Sequence, residues 1–420
     1  MNKKLIAVAV GSALGAIGAP AFAQSSTVTL SGNLNYAYGY YDNGGTGYAN
    51  ATAGSIATGT AKVRTDGLIN AESEFVLAGE ERLGGGMAYF FRCATSLDLQ
   101  AGAAANMCAR TSYIGLKGNF GSFSFGNNDT PLKNMIAQYD PFPISAPWGQ
   151  GGMTFNGVAS ATANAATPAS FSRRQNNLIT YAMPKMNGFD AAIAYTSANE
   201  ATASTSATTV QKPRMWSAML NYTNGPFSAG IGYERHNDFN PGANTGTPGG
   251  ATTFGYNGGR DSSYQIGVAY TFMGSLKVSA IYNNMKYENL NSNTLGGVPP
   301  GADMSVSVYG LYANWAISGP HSVKLGYGNQ GSTKGTYAGS TAGNAATVGT
   351  YVANAGAGQT GSQKIHGEYT YAMSKRTEVS LGYGRMMNDR NSAQTVGTGS
   401  NTPNFGETQT WTGARIQHKF

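Results

Sequence analysis

The stretch Lys364-Ile365-His366-Gly367-Glu368-Tyr369-Thr370-Tyr371 alternates on a period of two. Ile365, Gly367, Tyr369 and Tyr371 share one face, while Lys364, His366, Glu368 and Thr370 share the other. That is the signature of a β-strand with one apolar and one polar side. The pattern recurs on both sides of it. Upstream, Val323, Leu325 and Tyr327 oppose Ser322, Lys324, Gly326 and Gly328. Further upstream, Tyr264, Ile266, Val268, Tyr270 and Phe272 oppose Gln265, Gly267, Ala269 and Thr271. At the C-terminus, Thr412, Ala414, Ile416, His418 and Phe420 oppose Arg415, Gln417 and Lys419. No comparably long stretch beyond the N-terminal segment repeats at 3.6 residues.

A two-faced strand also fits a soluble sandwich, whose polar side meets water and whose apolar side meets a second sheet. Here the apolar faces are rich in Tyr, Gly and Ala, and the polar faces are often uncharged. That suits a barrel with lipid outside and water inside. Composition narrows the field. Of 420 residues, 59 are Gly and 25 are Tyr, and only 11% are charged, against about 25% in ordinary soluble domains. Scarce Glu, Lys and Leu exclude a coiled coil, and plentiful aromatics exclude a highly charged disordered chain. Two cysteines exclude a disulfide-rich mini-scaffold. A mean hydropathy of −0.27, with one long apolar run at the N-terminus, argues against a helical membrane protein.

That run reads as a targeting segment. Lys3 and Lys4 form a short basic region, Leu5 to Ala19 is apolar and small, and Ala21-Phe22-Ala23 fits the small-x-small cleavage rule. Residues 1–23 are therefore expected to be a signal peptide, and 24–420 the mature chain. The competing reading is a membrane anchor, which the shortness of the run disfavours. Losing Lys3 and Lys4 would take the formal charge from +7 to +5.

The mature chain yields sixteen strand candidates, starting near Val28, Glu72, Met87, Arg110, Ser122, Asn176, Phe189, Met215, Phe227, Ser263, Leu276, Met304, Ser322, Lys364, Thr377 and Thr410. Short turns are expected at Leu83–Gly86, Gly118–Gly121, Pro184–Gly188, Asn224–Pro226, Met273–Ser275, Ser318–His321 and Ser374–Arg376. Long polar loops fill the gaps between them, such as Asn43–Asn70, Thr130–Phe171, Asn237–Asp261 and Gly331–Gln363. Short–long alternation is expected when one rim faces the periplasm and the other the outside. The fold class is all-β, a 16-stranded antiparallel transmembrane barrel.

Four stretches carry a family resemblance. Ala78-Gly79-Glu80-Glu81-Arg82-Leu83-Gly84-Gly85-Gly86-Met87-Ala88 resembles the early hairpin of trimeric Gram-negative general porins. The run from Arg110 through Gly115, Gly118 and Gly121 to Gly126 resembles their next hairpin. Asn176 through Tyr181, Pro184 and Gly188 to Phe189 resembles the strand and turn after their constriction loop. The ending, Arg415 to Phe420, resembles the terminal assembly strand of the β-proteobacterial branch. The resemblance implies a homotrimer of barrels in the outer membrane, with loop 3 folded into the lumen. Expected surroundings are outer-membrane lipid, lipopolysaccharide, and small hydrophilic solutes and ions.

It also implies a constriction in which basic wall residues face acidic residues of loop three. Arg110 and Arg174 match the family's wall arginines, and Arg92 is a further candidate. The carboxylates of the loop, near 127–171, are Asp129 and Asp140. Two departures stand out: the usual acidic, Gly-rich turn is absent, and Glu74 stands where the family often has another arginine. If Arg110 faces inward by strict alternation, so do Ser112, Ile114 and Leu116, an apolar set for a wet lumen. Arg110 therefore faces either the lumen or a neighbouring subunit. The basic balance and the two loop carboxylates favour anions, with weak selectivity as the alternative because distant charges are screened. Cys93 and Cys108 flank loop two, and in an oxidising envelope a disulfide between them is expected, against two free thiols. In the family that loop latches a neighbouring subunit.

No enzyme motif is present. His236, His321, His366 and His418 are scattered outside any metal-ligand spacing. Gly84-Gly85-Gly86 is not followed by the residues of a phosphate loop. Basic pairs such as Arg173-Arg174 and Lys375-Arg376 are isolated, so nucleic acid is not an expected partner. The function that follows is passive diffusion of small solutes and ions, without cofactor or metal. The rivals are a channel selective for a sugar or organic anion, a structural or adhesive barrel, and an outer-membrane barrel enzyme.

Overall fold

The structure is a computed structural model. It describes residues 24–45, 62–99, 106–142, 171, 173–197, 214–237, 260–290, 302–332, 334–335, 347–348, 351–352, 359–390, 392, 394–397, 403–404 and 406–420. The expected signal peptide lies outside the described residues, as does most of each long loop.

In chain order the elements are β1 (Gln24–Asn43), β2 (Arg64–Asn70), β3 (Glu74–Gly84), β4 (Met87–Ser96), β5 (Ser112–Gly118), β6 (Gly121–Asp129), α1 (Pro131–Ile136), β7 (Arg174–Ala182), β8 (Phe189–Thr196), β9 (Arg214–Asn224) and β10 (Phe227–Asn237). They continue with β11 (Arg260–Phe272), β12 (Leu276–Leu290), β13 (Ala302–Ser318), β14 (His321–Gln330), β15 (Thr347–Val348), β16 (Tyr351–Val352), β17 (Ser362–Ala372), β18 (Thr377–Asn388) and β19 (Thr408–Lys419). β15 and β16 pair only with each other. The rest form one antiparallel sheet in which β2 and β3 both bond to β1, the later strands bond in chain order from β3 onward, and β19 closes it on β1 from Asn33↔Lys419 to Asn43↔Gln409. β2 and β3 run along successive parts of β1 and make a single stave, which gives a barrel of sixteen. Closure leaves no edge with unpaired backbone groups, the condition for a sheet to cross hydrocarbon.

The faces are inverted relative to a soluble protein. On β11, Ile266 is 51% exposed while its neighbour Gln265 is 1% exposed. Tyr264, Val268, Tyr270 and Phe272 follow Ile266 outward, and Ser263 and Ala269 follow Gln265 inward. The inner face is polar and the outer face apolar, as alternation predicts. The short turns lie where expected, all at one end of the staves. At Gly84, Gly85 and Gly86, φ is +84°, +59° and +78°. Three successive residues there occupy the left-handed region that only glycine visits without strain.

One expectation is corrected. The second strand begins at Arg64, not near Glu72, so the loop expected over Asn43–Asn70 is shorter. Asn70 faces outward opposite Tyr36, whereas Glu74 faces inward opposite Asn33. The break at 71–73, where Glu72 has a φ of 72°, therefore reverses the alternation. A period-two template cannot cross such a break.

Candidate pore constriction

After β6 the chain turns onto the inner wall. Thr130 caps α1, its Oγ1 accepting from Lys133 N at 3.4 Å, and Pro131 occupies the first turn. The helix presents Leu132, Met135 and Ile136, all buried. Leu132 N donates to Ser217 Oγ of β9 at 3.1 Å. Further on, Tyr139 OH donates to Asn221 Oδ1 at 3.3 Å, and Ser279 Oγ of β12 donates to the Tyr139 carbonyl. Lys277 Nζ donates to the Gln138 carbonyl at 2.6 Å. Phe142 stacks on His366 of β17. The described part of loop three, 130–142, thus lies along the inner wall from β9 round to β17. The remainder, 143–170, is outside the described residues.

Missing side chains on the wall make room for it. A Cβ at Gly267 would sit 2.4 Å from the Tyr139 ring. One at Gly232 would sit 2.6 Å from Leu132 Cδ1, and one at Gly326 would sit 2.9 Å from Phe142. Each of these glycines alternates with an outward apolar residue, so the wall is notched without being broken.

The expected charged residues fall into separate groups. Ladder register puts Glu74 and Arg92 on the inner face. Glu74 receives Arg92 Nη2 at 3.1 Å and Arg110 Nε at 3.1 Å, and Arg110 also reaches Glu72 at 3.7 Å. Arg110 therefore points into the barrel. It does so without the apolar set that strict alternation would bring, because β5 starts at Ser112 and Arg110 lies in the bend before it. Ile114 and Leu116 face outward. The ion-pair partners of Arg92 and Arg110 are the carboxylates Glu74 and Glu72 of the wall, and Arg110 acts on Asp129 at longer range.

Arg174 and Asp129 meet at the foot of the loop, with Nε to Oδ1 at 3.2 Å, and Lys133 shares the same oxygen at 2.9 Å. Asp140 is 3% exposed. Its Oδ1 accepts from Phe142 N at 2.9 Å, and burial pushes its carboxyl up to about 7. It is an acid of the loop itself, covered where the loop meets the wall, rather than an open lumenal carboxylate. Phe420 closes the seam, exchanging backbone bonds of 3.0 and 3.1 Å with Gly32. Cys93 and Cys108 are joined in a disulfide, and Cys108 N donates to Thr95 Oγ1 at 3.0 Å.

Two groups were not foreseen. Glu368, fully buried, receives Lys324 Nζ at 3.2 Å and Arg415 Nη2 at 2.9 Å, and Arg415 also binds Glu378 at 2.7 Å. Alternation placed all but Glu378 on polar faces, but long loops leave the stave register open, so their convergence was not readable. The second group gathers Arg173, Glu234, His236 and Asp261 under Phe171, whose ring stacks on His236 at 4.8 Å. Asn177, at a φ of 54°, adds a residue to β7 opposite Gly126–Asn128 and shifts its phase. Arg173 consequently turns into this cluster, where its Nη2 donates to Gln175 Oε1 at 2.8 Å, while Arg174 turns to Asp129. Burial lowers the Arg173 guanidinium to about 10.

Comparisons with known proteins agree with this architecture. The chain is 29% identical over 347 residues to outer membrane porin protein 32 of Delftia acidovorans, covering 78% of this chain and 85% of that one. An anion-selective porin from Comamonas acidovorans superposes with a TM-score of 0.67 at 22% identity, covering 94% of this chain and all of that one. The trimer form of OmpT, an outer membrane protein of Vibrio cholerae, superposes with a TM-score of 0.61 at 14% identity, over 94% of this chain and all of that one. The family described as Gram-negative porin matches residues 7–391, and the chain is a member of it, a barrel of the outer membrane.

Proposed function

We propose that the barrel is a general diffusion channel for small hydrophilic solutes and ions, with a mild anion preference, working as a homotrimer without cofactor or catalytic step. The observation that carries the reading is the closed barrel with a polar inner face and a buried helix-bearing segment laid along it. The wall charges act cheaply because the lumen is wet. Three features favour anions. Lys277 is met by a carbonyl and not a carboxylate. Burial raises the Asp140 carboxyl to about 7, so it carries only about half of its negative charge near neutral pH. Removal of residues 1–23 would leave a charge of +5. The solved porin from Comamonas acidovorans is itself described as anion-selective.

A substrate-selective channel would need aromatic rings lining the path. Trp411, Tyr287 and Tyr312 on the inner face are buried, and among the described residues the half-exposed inward rings Phe90 and Tyr113 form a single edge-on pair rather than an extended path, which supports the less selective reading.

Planar-bilayer conductance of the purified protein, with the reversal potential in a KCl gradient, tests it. Large steps in groups of three with an anion-favouring reversal are expected. A cation-favouring reversal would keep the channel and overturn the charge assignment. No conductance from a folded, heat-modifiable barrel would overturn diffusion altogether.

A further inference from the structure

The disulfide borders the wall's charge cluster in sequence and stands across the wall from it. Arg92 directly precedes Cys93, and Arg110 follows Cys108 by two residues. Both arginines reach Glu74 inside the barrel, each at 3.1 Å. Cys93 stands opposite Leu77, on the alternate face from Arg92, which stands opposite Ala78.

Alternation alone would not bring Arg110 to Glu74. Ile114 and Leu116 face outward, and counting back by twos along a ladder sends residue 110 outward with them. The ladder between β4 and β5 stops at Arg92↔Tyr113. Before it the chain bends, and the bend turns Arg110 inward. Several links hold that bend. Arg110 N donates to the Ala94 carbonyl at 2.9 Å, and Ala94 N donates to Ser112 Oγ at 3.0 Å. Asn127 of β6 spans it with one amide, whose Nδ2 donates to the carbonyls of Ala109 at 3.2 Å and Arg110 at 2.9 Å. Cys108 has a φ of 58°, in the left-handed region that a residue with a side chain enters only at a cost. The disulfide ties this residue to β4, with the two Cα atoms 4.6 Å apart. The strained residue of the bend is thus the one that is covalently held.

We propose that the Cys93–Cys108 bridge, together with Asn127, is a positioning brace for Arg110. It holds the bend that aims the guanidinium at Glu74 and Glu72, and so keeps one positive charge of the constriction in place. A guanidinium presents its donors in a rigid fork, so both contacts depend on where its backbone stands. The proposal rests on the reading of the barrel as a diffusion channel, and adds to it the residues that aim a wall charge. A bridge that only stapled loop two would leave the ion preference of a folded barrel unchanged.

The test is a double-mutant cycle on the folded barrel in planar bilayers. Its corners are the parent, Cys93→Ser with Cys108→Ser, Arg110→Gln, and all three changes together, with heat-modifiability verifying that each is folded. Removing the bridge should lower the anion-over-cation permeability ratio about twofold, the size expected for displacing one unit charge within a Debye length of the ion path. Arg110→Gln should lower it similarly, and loss of the bridge should then make no further difference. Asn127→Ala should move the ratio in the same direction. Dithiothreitol added to the assembled parent should reproduce the shift, as it reduces the bridge to two thiols and is itself oxidised to its cyclic disulfide. A bridge-free barrel with the parent's ratio, or a shift that persists in the Arg110→Gln background, would overturn the brace and leave the diffusion reading intact. Absence of conductance would instead sink the diffusion reading, and the brace is then decided by nuclear magnetic resonance. The Arg110 Nε–H signal, identified by its loss in Arg110→Gln, should exchange with water about threefold faster or more once the bridge is reduced. Equal exchange in both states would overturn the brace.

Discussion

The ring of Phe142 lies on the imidazole of His366, with centroids 3.9 Å apart and planes inclined by 19°. Phe142 belongs to the segment after β6 and His366 to β17, so the contact ties the constriction to the far wall. Nothing larger than glycine fits at Gly326, whose added Cβ would lie 2.0 Å from His366 Nε2.

Substitution at these notches should unseat the segment. Gly267→Leu would drive a side chain into the Tyr139 ring, and overpacking of this kind costs about 1–3 kcal/mol. The expected result is larger and noisier single-channel conductance from a barrel that still folds. Conductance identical to the parent would show that 130–142 does not set the bore.

Asp140 gives the channel a pH response. An acid whose pKa is raised to about 7 by burial binds more protons folded than unfolded between its ordinary value, about 4, and 7. The seated segment should therefore lose stability as pH rises through that window. The anion preference should also weaken as Asp140 ionises. Reversal potentials recorded from pH 5 to 9 should show this shift centred near 7, and Asp140→Asn should flatten it. A pH profile unchanged in the variant would assign the titration elsewhere.

Glu74 restrains two guanidinium groups at once. Glu74→Gln removes that negative charge while keeping the side chain's shape, so the permeability ratio should move toward anions. If it stays put or moves toward cations, Arg92 and Arg110 do not act on the permeating ions.

Glu368 sits without solvent contact between Lys324 and Arg415. Removing one partner of a buried pair leaves a charge uncompensated, at a cost of about 3–5 kcal/mol. Glu368→Ala should lower the temperature at which the barrel loses its heat-modifiable form. An unchanged transition would mean that water within the lumen already solvates Arg415.

The Cys93–Cys108 bridge closes a loop with a sequence separation of 15. A loop of about that length is worth roughly 3 kcal/mol in the chain-entropy account. Reduction should therefore lower the temperature at which the barrel loses its heat-modifiable form. An equal transition temperature in both redox states would leave the bridge without a stabilising role.

The staves were readable because lipid on one side and water on the other force strict alternation, as in β11 and β17. The residues that escaped the reading sit where alternation breaks. Glu72 and Asn177, both with positive φ, each insert a residue, and these two breaks hid β2 and sent Arg173 rather than Arg174 into the buried cluster. Arg110 looked ambiguous for the same reason: it lies outside the ladder that was used to orient it. The pairing of Arg415 with Glu368 depends on a register passed through long loops, which no local pattern encodes.

The notched wall has an engineering meaning. The side chains of 130–142 rest in sockets, places where a stave offers no side chain, while its backbone is pinned by hydrogen bonds to Ser217, Lys277 and Ser279 that do not depend on which side chain fills the socket. The lipid-spanning staves could stay fixed while the plug residues Leu132, Tyr139 and Phe142 are exchanged for smaller or larger ones. Bore and barrel are thereby separable modules, and filtering could be retuned without reopening the problem of membrane insertion.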